Sequence, residues 1–394
     1  MFFNFVFLIL KMNSVTVIFT GAVSVLYLIY FLRLRFLWNK EENYLVALPN
    51  TPITKVSVVI AARNEAQNIS TCLHDIIHQN YPSDLVEIIV VDDNSTDTTV
   101  STIQQISKAH PKNVLRLIEL KDTSKNTSPK KRAIAAAISV ATGDLLICTD
   151  ADCRFPKNWI SNLEAFYRER NAKLIVAPIS IKREPKNTFL VDFQYFDIQS
   201  LVMSGAASLF AQKALLCSAA NMAFNRIAYL QIQHQIKGQS LASGDDMFLL
   251  LAFQNQFPND IHFIKSKEVL VETVPQTSLS NFIHQRLRWA AKGFYYRNTY
   301  VQVVAFIVFA INLMLLTTAI SSFFYSKGIL VFLLLFLTKL FVDYYFMRAA
   351  HPFFNEKIKF YKAAMIVLLY PILIGAIALF ALQGSYNWKG RKLH

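Results

Sequence analysis

The chain has 394 residues, of which 54% are hydrophobic and only 17% charged, which excludes intrinsic disorder as its overall state. The apolar excess lies in blocks at the two ends, so a wholly soluble protein is excluded as well, and the pattern is that of a membrane protein with a soluble middle. Forty Lys and Arg against 26 Asp and Glu give a formal charge of +14, which suits anionic lipid, a phosphorylated substrate or nucleic acid without choosing among them.

Residues 15–31 carry no ionisable group except the phenols of Tyr27 and Tyr30, enough for a slightly short membrane helix. Arg33, Arg35 and Lys40 follow, and no A-x-A-like cleavage site is present, so a retained anchor is expected over residues 1–40. Those cations place the N-terminus outside and the following domain, residues 50–298, in the cytoplasm. Four cysteines, Cys72, Cys148, Cys153 and Cys217, form no CxxC pair, as expected of a reducing compartment. The expected localisation is the cell membrane, multi-pass.

From residue 55 to 177 short β-branched runs alternate with amphipathic stretches. Strands are predicted over 56–60, 87–91, 114–120, 145–149 and 173–177, and helices over 66–79, 98–109, 131–141 and 157–169. This order implies right-handed βαβ units, hence an α/β fold on a mostly parallel sheet with ligands at the carboxyl ends of the strands. No Gly-x-Gly-x-x-Gly or Walker loop occurs, which argues against a dinucleotide or P-loop site. The C-terminal membrane region, residues 299–394, holds predicted spans over 301–325, 328–347 and 363–382. Lys339 and Asp343, four apart, are placed to pair within the third span. With four spans the basic C-terminal tail would lie outside, against the charge rule, and Pro371 marks a possible kink or re-entrant break in the last one.

Acidic residues cluster where strands end. Asp92-Asp93-Asn94-Ser95-Thr96-Asp97 runs from one strand end into a helix start, and suits either a capped loop or a ligand site. Asp150-Ala151-Asp152 closes another strand, and carboxylates two apart can face one hard cation such as Mg²⁺ or Mn²⁺. Gly244-Asp245-Asp246 opens a helix, where an acid also complements the dipole. Gln285-Arg286-Leu287-Arg288-Trp289 precedes the second span and reads alone as a positive flank with an interfacial Trp.

Together with residues 58–65, which end in Ala62-Arg63-Asn64-Glu65, and with Lys130 before a helix, these elements in this order resemble family 2 glycosyltransferases of the membrane-bound type. That group includes cellulose, hyaluronan and poly-N-acetylglucosamine synthases and the ceramide glucosyltransferases. The likeness covers about residues 56–289 and the flanking spans. It implies a GT-A nucleotide-sugar-binding domain and sugar transfer from a nucleotide sugar with inversion at the anomeric carbon. By the same resemblance Ala62, Glu65, Asp92 and Asp93 would contact the nucleoside and Lys130 the diphosphate, while Asp150 and Asp152 would hold the metal diphosphate. Asp246 would be the general base, with Asp245 as the other member of the pair. Gln285, Arg286, Arg288 and Trp289 would bind the leaving diphosphate and the acceptor. Two departures from the commonest pattern stand out: Asp-Asp replaces Glu-Asp at the base, and Ala61 replaces a frequent proline.

The expected partners are a nucleotide-sugar donor, a lipid or glycan acceptor and membrane lipids, with Mg²⁺ or Mn²⁺ as cofactor. Nucleic acid is not expected, because the cations scatter over loops and membrane flanks with no aromatic-interleaved basic stripe. Single transfer to a lipid or lipid-linked acceptor is favoured over a processive polysaccharide synthase. An inactive membrane scaffold would have lost one or more of the acids.

Overall fold

The computed structural model describes residues 14–46, 51–120, 129–184, 187–238, 244–381, 386–388 and 391–393. Helix α1 covers Ser14–Lys40. Strand and helix then alternate: β1 (Val56–Ala62), α2 (Ile69–Ile77), β2 (Val86–Asp92), α3 (Thr99–Ala109), β3 (Val114–Glu119), α4 (Pro129–Val140) and β4 (Leu145–Asp150). A less regular stretch holds β5 (Cys153–Arg154), α5 (Trp159–Arg170), β6 (Leu174–Val176), β7 (Ile179–Ile181), α6 (Phe189–Phe210), β8 (Met222–Asn225) and α7 (Arg226–Ile232). It continues with α8 (Asp245–Gln256), β9 (Ile261–Phe263) and β10 (Val271–Thr273). Helices α9 (Leu279–Ala290), α10 (Thr299–Ser321), α11 (Ser326–Arg348), α12 (His351–Phe354) and α13 (Phe360–Ala381) follow, then the short paired strands β11 (Tyr386–Trp388) and β12 (Arg391–Leu393).

The chain divides into an α/β unit, centred on Glu41–Thr277, and a helical unit built from α1 and Ser278–Tyr386. The main sheet of the α/β unit has the order β3-β2-β1-β4-β8-β6-β9. Strands β3, β2, β1 and β4 are mutually parallel, as the βαβ reading requires. Val-rich β1 and β2 are buried almost throughout, so the sheet is covered on both faces, whereas the edge strand β3 alternates between exposed and half-buried positions. Strand β8 runs antiparallel between β4 and β6. At four residues it has too short a pattern to stand out in the sequence. A second sheet, β5-β10-β7, is equally short-stranded.

At the edge of this sheet away from the strand carboxyl ends, the carboxylate of Glu87 is 2% exposed and accepts hydrogen bonds from Ser57 Oγ (2.6 Å), Thr142 N (2.6 Å), Thr142 Oγ1 (2.8 Å) and Gly143 N (3.2 Å). Gly143 is needed there because a Cβ would stand 2.6 Å from Ser57 N, a contact no side chain can make.

In the helical unit, α1 and α11 lie side by side in the same direction. Tyr27 Oη donates to Asp343 Oδ1 (2.6 Å), Phe31 meets the Phe346 ring edge-on at 5.1 Å, and Trp38 Nε1 donates to the Ala349 carbonyl (3.1 Å). Helices α10 and α13 pack on this pair and on each other. Lys339 is buried, bonds to Asp343 and lies over the rings of Tyr27 and Tyr370 at 5.6 and 5.5 Å, so the expected pair forms and is further shielded by aromatic faces. Among the described residues four helical stretches, Val17–Lys40, Thr299–Ser321, Gly328–Arg348 and Phe360–Leu379, are long and apolar enough to cross a membrane. The first helix continues nine residues beyond the predicted apolar core, because Arg and Lys are good helix formers. Helix α13 runs unbroken through Pro371, so no re-entrant break is found; one missing N–H is tolerated in a packed helix. Helix α9 packs on α13, and the division between the units therefore falls at Ser278 rather than at residue 298.

Candidate active site

Register brings the predicted residues of β1, β2 and β4 to one edge. Ala62 pairs with Asp92, and Ala61 with Asp150, so three neighbouring parallel strands end together. The Asp93 N–H extends the β1–β2 ladder by donating to the Ala62 carbonyl (2.9 Å). This is where helix-covered parallel sheets bind ligands.

Two loops at this edge are locked to each other. Asn64 (φ 51°) and Asn94 (φ 55°) take left-handed conformations that Asn tolerates. Asn64 N donates to Ser95 Oγ (2.9 Å), Thr96 N to Asn64 Oδ1 (2.8 Å) and Glu65 N to Thr99 Oγ1 (2.8 Å). Glu65 itself accepts from Asn68 Nδ2 (2.9 Å). Desolvation opposes ionisation of Asp97, but bonds from the Thr99 hydroxyl, the Thr99 N–H and the Ala66 N–H outweigh it and hold the carboxyl below its usual range.

Asp92 and Asp93 are both 3% exposed and differ in their partners. Asp92 Oδ2 accepts from Ser95 N (3.0 Å), while its Oδ1 is buried with no hydrogen-bond partner. Asp93 lies between two guanidinium groups, with Arg63 Nη1 at 3.7 Å and Arg132 Nη2 at 3.9 Å. Arg63 also donates to the Asp93 carbonyl (2.6 Å). Neither arginine was given a role from the sequence, although Arg63 lies in the run over residues 58–65 that carries the resemblance. Arg132 follows Lys130 and Lys131, and a run of three cations does not reveal which of them turns inward.

The Asp150–Asp152 turn is held from outside. Asp75 on α2 accepts from Arg154 Nε (2.5 Å) and Nη2 (3.0 Å) and from Phe155 N (3.2 Å). That hydrogen bonding raises the Arg154 pKa despite partial burial. Two buried thiols flank the acids: Cys72 Sγ lies 3.8 Å from the Asp150 carbonyl and Cys153 Sγ 3.7 Å from Asp152 Oδ1. Burial first, and then the neighbouring carboxylates, Asp152 foremost, push both thiols well up, so they stay protonated. The donor set is thus carboxylate oxygen rather than thiolate, which fits a hard divalent cation. Among the described residues no cluster of three or more His, Cys, Asp or Glu is suited to a metal. A cation held by Asp150 and Asp152 would accordingly complete its shell with phosphate and water oxygens.

Gly244, at φ 95°, turns the chain into α8, whose first two residues are Asp245 and Asp246. Asp246 Oδ1 accepts from Met247 N (2.8 Å), and Asp245 Oδ1 lies 3.5 Å from Lys131 Nζ. Lys130 opens α4, but its side chain lies outside the described residues. Its neighbour Lys131 reaches an acid of the predicted set. Burial and the charge of Asp246 push the Cys217 thiol well up.

Gln285, Arg286, Arg288 and Trp289 lie on α9 of the helical unit. Arg286 is 8% exposed, and its guanidinium lies over the rings of Phe282 (4.9 Å) and Trp289 (4.2 Å). Phe282, Arg286 and Trp289 share a helix face at four- and three-residue spacing. Asn221, beside the strand β8, is saturated: it accepts from Trp159 Nε1 (2.9 Å) and donates to the Pro178 and Val269 carbonyls (both 2.7 Å). Helix α6 is largely buried and packs on β7 and β9, as a core helix does.

The chain matches two family models, Glycosyl transferase family 2 over residues 57–231 and Glycosyl transferase family group 2 over residues 145–378. It is similar to a dolichyl N-acetyl-alpha-D-glucosaminyl phosphate 3-beta-D-2,3-diacetamido-2,3-dideoxy-beta-D-glucuronosyltransferase of Methanococcus voltae, 24% identical over 70% of this chain and 85% of that one. An N-acetylglucosaminyltransferase of Rhizobium meliloti is 25% identical over 64% of this chain and 58% of its own length. A beta-monoglucosyldiacylglycerol synthase of Synechocystis is 24% identical over 40% of this chain and 34% of its own. Among solved structures, a mannosyltransferase from Pyrobaculum calidifontis, in complex with GDP-Man and Mn²⁺, superposes over 93% of this chain and 99% of that one. Its TM-score is 0.52 at 17% identity, a likeness of fold. With more than half of its length matched by the group model, and with a GT-A-like sheet carrying acids at its carboxyl edge, the chain belongs to the family 2 glycosyltransferases.

Proposed function

We propose that the protein transfers one sugar, with inversion, from a nucleotide-diphosphate sugar to a lipid or lipid-linked acceptor at the cytoplasmic membrane face. The observation that carries this reading is the convergence of Ala62, Asp92 and Asp150 at the ends of three adjacent parallel strands, with Asp152 in the next turn. In this reading Ala62, Glu65, Asp92 and Asp93 receive the nucleoside, with the buried Asp92 Oδ1 as an acceptor for a donor group on the base. Lys130, Arg286 and Arg288 offset the diphosphate charge. A divalent cation, Mg²⁺ or Mn²⁺, when bound supplies further charge neutralisation, and Asp150 and Asp152 are the residues that would hold it.

Asp246 takes the proton of the acceptor hydroxyl as that oxygen forms a bond to the anomeric carbon. The bond from that carbon to the diphosphate oxygen breaks, its electron pair leaves with the nucleoside diphosphate, and displacement from the opposite face inverts the centre. Gln285 and Trp289 would orient the acceptor, Trp289 through its flat apolar face. Acceptors of lipid type are supported by the names of the relatives from Methanococcus voltae and Synechocystis and by the four helices of spanning length. Among the described residues four helices have spanning length, few to enclose a growing polymer, which favours single transfer. All the acids of the motif set are present, against an inactive scaffold.

The test is to reconstitute the purified chain in lipid vesicles and follow nucleotide release from a panel of nucleotide sugars, with Mg²⁺, Mn²⁺ or a chelator. Release dependent on one donor, a divalent cation and a lipid fraction is the expected result. Absence of release from every donor in every lipid would contradict the proposal.

A further inference from the structure

Residues 63–66, in the loop after β1, are bonded one after another to the segment that follows β2. Arg63 Nη1 donates to the carbonyls of Asp93 (2.6 Å) and Asn94 (3.3 Å), Asn64 joins Ser95 and Thr96, Glu65 N donates to Thr99 Oγ1 (2.8 Å) and Ala66 N donates to Asp97 Oδ2 (3.2 Å). The partners stand 30 to 34 positions apart in sequence, so this is a ladder between two loops and not the local turn chemistry that Asn, Asp, Ser and Thr ordinarily serve. Asn64 bonds in both directions: its N–H goes to Ser95 Oγ (2.9 Å), and its Oδ1 accepts from Thr96 N (2.8 Å). Ser95 N in turn donates to Asp92 Oδ2 (3.0 Å), so the path from Asn64 ends on a buried carboxylate of the candidate nucleoside site. At φ 51° the backbone of Asn64 is left-handed, a conformation that suits Gly, Asn and Asp and strains other residues. Two demands therefore meet here, a left-handed backbone and a side-chain acceptor. Asn and Asp satisfy both, Gly only the first, and Ala neither.

We infer that Asn64 is a positioning residue for the nucleoside: it locks the loop carrying Ala62 and Glu65 to the loop carrying Asp92 and Asp93, so that donor binding does not have to order the two loops itself. The inference rests on the reading of these four residues as nucleoside contacts. Asn64 and Thr96 are exposed, so each bond competes with water and is individually modest. The nucleoside is held alike before and during sugar transfer, so the lock acts equally on ground state and transition state. Its loss should raise the KM for the donor and leave kcat at saturating donor near the wild-type value.

The test is the affinity of the full-length protein in detergent for UDP and for GDP, each with Mn²⁺, by titration calorimetry, with donor KM and kcat measured on the same variants in vesicles. Asn64→Gly keeps the backbone conformation and removes the side-chain acceptor, and should weaken whichever nucleotide the wild type binds by about fivefold or more. Asn64→Ala adds backbone strain and should bind more weakly still. Asn64→Asp, which keeps both properties, should stay within about threefold of the wild type. Ser95→Ala removes the acceptor of the Asn64 N–H from the opposite loop and should weaken binding by about threefold, which keeps the comparison if the Asn64 variants fail to fold. Lower thermal stability in Asn64→Gly with nucleotide affinity intact, the mark of a merely structural role, would overturn the inference, as would a fall in kcat at unchanged KM. The two levels are separable. A wild type that binds neither nucleotide removes the nucleoside reading and this inference with it, whereas a wild type that binds one, beside an Asn64→Gly variant that binds it equally well, removes only the role of Asn64.

Discussion

Replacing Glu87 by Gln should weaken the sheet that aligns the site without touching any site residue. Oε1 takes four short bonds, from the hydroxyls of Ser57 and Thr142 and the N–H groups of Thr142 and Gly143. Burial opposes ionisation of this carboxyl, but those bonds, with a lesser effect of Arg116, outweigh it and hold the pKa below its usual value. Gln keeps an acceptor in place but removes the charge, at roughly 0.5–1 kcal/mol for each of the four bonds, partly offset by relief of desolvation, so the net loss is about 2 kcal/mol. Arg116 is 3.7 Å from Oε2 but half exposed, and adds little. For a unit of this size the melting temperature should fall by about 4–8 °C at pH 7, followed by near-ultraviolet circular dichroism of the full-length protein in detergent. Because the folded-state pKa is depressed, the contribution is complete above the unfolded value near 4.3 and disappears as pH falls through the folded value, so the gap between wild type and variant should narrow below about pH 4. Equal melting at pH 7, or a gap unchanged at pH 3, would refute the reasoning.

Asp152→Asn should weaken donor binding and turnover together, since a group that helps neutralise the diphosphate acts in the ground state and the transition state alike; full wild-type activity in a chelator would contradict the metal role. Asp75→Asn removes the paired bonds that hold Arg154 behind the Asp150–Asp152 turn and should weaken metal-dependent nucleotide binding by about tenfold in titration calorimetry, with unchanged affinity as the opposing result. An impermeant thiol reagent added to intact cells should label Phe323→Cys, in the exposed link between α10 and α11, and spare Lys108→Cys on the exposed face of α3; the reverse pattern would invert the proposed orientation.

The parallel core of the sheet was readable because β1, β2 and β4 are largely apolar runs of Val, Ile and Leu, the last two ending in acids, and burial on both faces is the way such runs are satisfied. Register then follows, since one edge must receive all three strand ends. Strands β5, β7, β8, β9 and β10 were not readable: each has four residues or fewer, and their pairing depends on partners distant in sequence. The same limit applies to the site. Asp92, Asp150 and Asp246 are marked by position after a strand or before a helix, a local property. That Lys131 meets Asp245 and Arg132 approaches Asp93 depends on how α4 is rotated against the rest of the unit, which three successive cations do not encode.

The central claim is that Asp246 removes the acceptor's proton, and its most direct test is the single-turnover rate of Asp246→Asn at matched donor binding. As an ordinary first-turn acid of α8, Asp246 could be replaced by Asn at a stability cost of at most about 1 kcal/mol with turnover intact. As the general base, its replacement should lower the rate by about 10²-fold or more, equivalent to roughly 3 kcal/mol in the barrier, while folding and nucleotide affinity stay near those of the wild type. A rate equal to that of the wild type would contradict the assignment and return the acid to helix capping.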